Sequence, residues 1–372
     1  MKLKITHVDE STSTRAGILE VNGKRLETPI LWLGQQINGV PNPWEYFDVD
    51  AVLINAYEII NSNGKTLETV NKKGIHKYLN FDGAIMMDSG GFLFQKKDQL
   101  NVDPIDIVNL YHSSKPDFGV VLDHPLNPTA SNYTNNKRWR NTLENMDFMF
   151  KNNGKFAIMP VAHGYTKKTL ENACNKIKEI IGEPNAIAIG SLVPLIKSGW
   201  VGNKQNGNGR KFAIDAIKIV RQEFPDAFMH VFGVGGTTTM HLMFSLGVDS
   251  IDSIGWRMKA GHGAIQLPGV ADRFISLACD YRNRTILSVT EEEILEKCIC
   301  PICKDKSLKE RKQELNNGDI STFKNRAIHN AWVFIQEKDE FKKNIHESKT
   351  LEFVNNRMKN SSFKGLFNYS IT

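Results

Sequence analysis

The sequence is poor in cysteine, with five in 372 residues. That is too few for a disulfide framework in a chain this long. No apolar run approaches the ~18 residues that a membrane-spanning helix needs. The first ten residues lack the apolar stretch of a secretory signal. A soluble, cytoplasmic protein of a reducing compartment, with no membrane partner, is expected. Strong charge bias is also missing: 47 Lys and Arg stand against 41 Asp and Glu, a net of +6. Alone, that argues only weakly for a polyanionic partner. What remains is an ordinary globular composition, 41% hydrophobic and 24% charged, which excludes a disordered or fibrous chain. The excess charge is localised, because residues 304–372 hold 14 basic and 9 acidic side chains.

Residues 1–28 read as a β-hairpin lead-in, with Asn22-Gly23 as the turn signal. Eight short apolar runs follow: Pro29–Leu33, Ala51–Asn55, Ala84–Asp88, Phe118–Asp123, Phe156–Val161, Ala186–Gly190, Met229–Gly233 and Val248–Ser253. Helix signals separate them. Asp103-Pro104 pairs an N-cap with Pro at the first helical position. Lys167–Ile181 carries Leu170, Cys174, Ile177 and Ile181 at helical spacing. Gly247 is a stop signal after a helix capped near Thr237–Thr239. Gly199–Gly209 reads as a flexible polar loop. Eight strands alternating with helices predict an α/β fold, a (β/α)8 TIM barrel over residues 29–290. An open doubly wound sheet is the alternative. Residues 291–372 are expected to form a zinc-binding subdomain and C-terminal helices.

Catalytic groups of a barrel come from the C-terminal ends of its strands. Here those ends read Asp88-Ser89-Gly90-Gly91-Phe92, Asp123-His124-Pro125, Ala162-His163-Gly164, Gly190-Ser191-Leu192, Phe232-Gly233-Val234-Gly235-Gly236 and Asp252. One strand-end Asp alone would read as a helix N-cap. Three around one mouth point to acid/base and nucleophilic work, since close carboxylates push their pKa values apart. Glycines there let a flat ligand approach the backbone. Asp249 competes with Asp252 for the eighth position. A three-residue offset puts them on opposite strand faces, and periodicity does not say which faces the site.

Cys298, Cys300 and Cys303 form C-x-C-x2-C, and His329 follows after 25 residues. Three thiolates and an imidazole complete a tetrahedral Zn2+ shell without an open position, which predicts one structural zinc. Spacing alone leaves His346 as a second candidate for the fourth ligand. Cys174 and Cys279 read as buried thiols.

With these motifs on the page, the chain resembles the tRNA-guanine transglycosylase family, from about Gly17 to about Gln336. The specific pieces are Asp88 to Phe92, Gly233-Val234-Gly235, Gly247 to Asp252, and the cysteine cluster with His329-Asn330. The zinc spacing of the family selects His329 over His346. The resemblance implies a (β/α)8 barrel with a zinc subdomain. Its members exchange a guanine in a polynucleotide for a 7-deazaguanine base, without ATP. It implies that Asp252 is the nucleophile on C1′ and Asp88 the general acid/base. It implies that Asp123 bonds the Watson–Crick edge of the purine, that Phe92 and Phe232 sandwich the base, and that His163, Gly190, Ser191, Leu192 and Gly233 line its pocket. A covalent glycosyl-enzyme suits a poor leaving group, because it divides one hard displacement into two.

The chain departs from the tRNA enzymes in places. His163 stands where they carry Gln, and Gly255 to Gly263 replaces a Pro-Thr-Arg stretch. That segment, with Ile265 to Gly269, looks more like a branch that places 7-cyano-7-deazaguanine in DNA. DNA is therefore the slightly favoured polynucleotide, with tRNA, for queuosine or archaeosine synthesis, as the alternative. The chain ends near residue 372, so no appended archaeal-type RNA-binding domain is expected. Arg257, Lys259 and the basic residues from Lys304 to Lys312 are candidate phosphate contacts. A homodimer or helper proteins are further expected partners. A non-catalytic binding subunit is the second alternative, opposed by the retention of Asp88 and Asp252. An unrelated barrel metal hydrolase would need an open metal site on the strands, and none is seen.

Overall fold

The computed structural model describes residues 1–92, 102–198, 208–276, 285–316 and 320–371. Most of the predicted Gly199–Gly209 loop and Cys279 lie outside them. The lead-in is a three-stranded antiparallel sheet, β1 (Lys2–Val8), β2 (Arg15–Val21) and β3 (Lys24–Thr28), one strand more than the hairpin expected. Asn22 and Gly23 turn β2 into β3 with φ of 47° and 78°, the left-handed pair that a two-residue hairpin turn requires.

The eight apolar runs become parallel strands: β4 (Ile30–Gly34), β5 (Ala51–Asn55), β6 (Ala84–Asp88), β7 (Phe118–Val120), β8 (Ile158–Met159), β9 (Val161–Ala162), β10 (Ala186–Ile189), β11 (Phe228–Val231) and β12 (Ser250–Ser253). They pair in the order β8-β7-β6-β5-β4-β12-β11-β10-β9. The two ends of that order are halves of one run, divided at Pro160. Met159 accepts from the Val121 amide on one side, and Pro160 accepts from the Ala188 amide on the other. The sheet thus returns on itself as a (β/α)8 barrel, and the open-sheet alternative falls. Helices Pro104–Ser114, Asn132–Asn152, Lys167–Ile181, Gly209–Glu223 and Thr239–Ser245 surround it. The first opens on a capping box between Asp103 and Asp106, and the third matches the predicted amphipathic segment at both ends. The Thr238 side chain does not cap Thr239–Ser245, and the Thr239 hydroxyl bonds the Val234 carbonyl instead.

Side-chain alternation sorts the strands into two cores. Trp32, Met86, Phe118, Val120, Met159, Val161, Ala188 and Phe228 fill the barrel interior. Their neighbours one residue along, such as Ile85, Met87, Ile187, Met229 and Ile251, pack outward against the helices. Leu19, Val21 and Leu26 of the lead-in sheet join the interior set and plug one end. The same alternation carries Asp88, His230 and Asp252 onto the inner face.

Hairpin β13 (Ile265–Leu267) and β14 (Val270–Arg273) follows, and Ile265 and Leu267 join Leu287, Leu295, Cys300, Cys303 and Leu315 in a separate small core. Helix Ile320–His346 then runs from that core along the barrel, burying Ala327, Ala331, Phe334 and Phe341 in the outer core. No helix among the described residues is long and apolar enough to cross a membrane.

Candidate active site and metal cluster

Asp88 ends β6, and its carboxylate faces Asn55 Nδ2 at 3.5 Å and the Gly90 amide at 3.3 Å. Burial first, then the charges of Asp123 and Asp252, pushes its pKa up to about 8. It therefore keeps its proton at neutral pH.

Asp252 lies in β12 with Oδ1 held 2.6 Å from the Gly233 amide. Gly233 presents that amide from a left-handed turn, φ 70°. Asp249 is buried elsewhere. It accepts from Arg15, Arg221 and the Met229 amide, with both guanidinium groups within 2.8 Å. Asp249 is thus a structural anchor, and Asp252 is the carboxylate on the inner face.

Asp123 is brought against His163, whose Nε2 lies 2.9 Å from Oδ2. His163 Nδ1 lies 2.9 Å from Ser191 Oγ, which accepts from the Leu126 amide at 2.8 Å. Ser191 sits in the left-handed region at φ 66°, a costly conformation for a non-glycine residue that clusters at functional sites. Glycine is required at two neighbours. A Cβ on Gly91 would collide with Asp123 Oδ1, and one on Gly190 with the His163 ring. Leu192 is buried beside them.

The two aromatic candidates differ in exposure. Phe92 stands open at 52%, while Phe232 packs edge-on against His230 with ring centroids 4.4 Å apart. Helix Gly255–Gly261 carries Arg257 and Lys259. Arg257 donates to the Val40 carbonyl and lies over the Phe323 ring at 5.3 Å. Lys259 is paired with Asp272 at 2.6 Å. Lys306 and Lys312 are likewise paired, with Glu314 and Glu292. Lys259, Lys306 and Lys312 are therefore neutralised by their own neighbours, while Arg257 meets a backbone carbonyl and a ring.

Cys298, Cys300, Cys303 and His329 offer four ligand atoms within 4.8 Å of one another. His329 Nδ1 lies 3.5 to 3.6 Å from each sulfur. Bond lengths of about 2.3 Å to sulfur and 2.1 Å to nitrogen, at a tetrahedral angle, require about 3.6 Å. The donor set therefore fits one tetrahedral ion. His329 Nε2 lies 2.9 Å from the Gln266 carbonyl, which leaves Nδ1 as the ligand. Asn330 bonds the Gln266 amide and the carbonyls of Trp256 and Ala264, so the residue after the ligand ties the cluster to the barrel. His346 is remote from the cysteines and pairs with Glu27.

The family model described as queuine tRNA-ribosyltransferase matches residues 9–362. The chain belongs to the queuine tRNA-ribosyltransferase family. Curated relatives named tRNA-guanine(15) transglycosylase include those of Pyrococcus furiosus, Methanococcus aeolicus and Sulfolobus acidocaldarius. The first is 27% identical over 94% of this chain and 55% of its own length. The second is 25% identical over 92% and 50%, and the third 24% identical over 97% and 68%. The chain thus spans about half the length of most curated relatives it matches.

Sequence reasoning missed Asn55, His230 and Ser250. The signal for His230 was present, since a lone imidazole two residues before Phe232 interrupts an apolar strand on the face that carries the site.

Proposed function

We propose that this chain exchanges a guanine within tRNA for a 7-deazaguanine base, through a covalent bond between Asp252 and C1′ of the target nucleotide. The observation that carries the reading is the division of labour at the mouth. Asp88 is held protonated beside Asp252, whose Oδ1 is tethered to a backbone amide. In the first step an Asp252 oxygen attacks C1′ and the glycosidic C–N bond breaks. Asp88 gives its proton to the departing guanine. In the second step the incoming base attacks C1′, its proton passes to Asp88, and the Asp252 ester bond breaks. This is the double displacement of a retaining glycosidase.

Asp123 accepts from the donor edge of the purine, and Phe92 and Phe232 supply faces for a base taken from its stack. The cysteine cluster with His329 holds a structural zinc, because four protein ligands leave no position for substrate.

The printed names of the relatives favour tRNA over the DNA preferred from the sequence. The Gly255 to Gly263 segment favours DNA, so both polynucleotides belong in one assay. Labelled guanine and 7-cyano-7-deazaguanine are offered with tRNA and with duplex DNA. Incorporation into tRNA, abolished by Asp252→Ala along with any covalent adduct, is expected. Incorporation into DNA alone transfers the reading to DNA. No incorporation into either leaves a non-catalytic binding subunit.

A further inference from the structure

His230 is fully buried on the inner face of β11, where it pairs in register with Ser250 of β12. Its Nδ1 lies 2.8 Å from Ser250 Oγ. The Phe232 ring closes one side at 4.4 Å. Its Nε2 makes no hydrogen bond of good geometry and lies 3.4 Å from Asp252 Oδ1. A serine hydroxyl that donates to Nδ1 leaves the proton of a neutral imidazole on Nε2. A buried N–H seeks an acceptor, and the facing acceptor is the Asp252 carboxylate. Oδ1 already receives the Gly233 amide at 2.6 Å. The Gly233 amide thus bonds this oxygen, and the imidazole Nε2 faces it from 3.4 Å.

We infer that His230 is a positioning residue for Asp252, resting on the double-displacement reading above. Together with the Gly233 amide it pins Oδ1, so Oδ2 is the oxygen that bonds C1′. Ser250 fixes the tautomer and the plane of the ring. The imidazole takes no proton from substrate and touches no reacting atom. Its effect is to hold one carboxylate rotamer through both displacements.

The full chain is compared with His230→Ala, His230→Asn and His230→Gln. A Gln side chain places an N–H donor near the position of Nε2, whereas Asn is too short to reach it. His230→Ala and His230→Asn should lower kcat about 10- to 100-fold, the worth of a hydrogen bond to a charged group, with KM for tRNA and base little changed. His230→Gln should recover most of the rate. Equal losses in Gln and Asn, or a loss carried by KM, would overturn the inference. A second measurement needs no substrate. Imidazole 15N NMR should show His230 protonated at Nε2, with a resonance that moves in Asp252→Asn and stays in Asp50→Asn, a carboxylate that pairs with Lys338 instead. A proton on Nδ1 would overturn the geometry. If the unaltered chain exchanges no base, the reading of the reaction fails, while the NMR result still decides the tautomer.

Discussion

Asp249 and Asp252 stand three residues apart on one strand run, and their carboxylates serve different ends of the barrel. Asp249 is gripped by Arg15 and Arg221, while Asp252 meets the Gly233 amide at the mouth. Removing Asp249 strands two poorly exposed guanidinium groups. Asp249→Ala should therefore lose about 3 to 5 kcal/mol of stability by urea unfolding. Asp252→Asn should unfold like the parent chain and be inactive. A stable Asp249→Ala, or an unstable Asp252→Asn, would exchange their roles.

Asp88 makes stability depend on pH. Its folded pKa is raised to about 8 from an ordinary value near 3.8. Between those values the folded state binds more proton than the unfolded one, so stability present at low pH is lost as pH rises through about 8. Asp88→Asn should remove this dependence. Unfolding at pH 5 and pH 8 should show the variant gaining on the parent at the higher pH. A constant difference would show that Asp88 is ionised in the fold.

The cysteine cluster predicts about one zinc per chain by elemental analysis. Cys303→Ser should release it and expose the small core around Leu287, Leu295 and Leu315 to limited proteolysis. Survival of that segment after chelation would show that its apolar packing suffices.

His163 stands where Gln was expected, and its Nε2 lies 2.9 Å from the Asp123 carboxylate proposed to read the base. His163→Gln should shift KM for the free base several-fold and alter the preference among 7-deazaguanines, with kcat less affected. A fall in melting temperature with unchanged KM would mark the residue as packing alone.

Much of this was legible because strand ends and metal spacings are local patterns. Asp88 closes its apolar run, Asp252 lies one residue before the end of its own, and C-x-C-x2-C needs no tertiary knowledge. The choice between Asp249 and Asp252 was not legible from spacing, because alternation gives relative faces and only barrel closure says which face is inward. Pro160 was invisible as a seam, since its effect depends on the separate partners of Met159 and Val161. The pairing of Lys259 with Asp272 depends on how the hairpin after the barrel folds back, and no periodicity reports that.

His329 lies within helix Ile320–His346, and Phe334 and Phe341 of that helix are buried in the outer core of the barrel. Each helical residue turns the next by about 100°. The cysteine cluster therefore acts as a phase marker for the whole rod. One residue inserted between His329 and Phe334 would rotate either the imidazole or the phenylalanines out of place. The number of residues between metal ligand and core contact is thereby fixed as tightly as their identity.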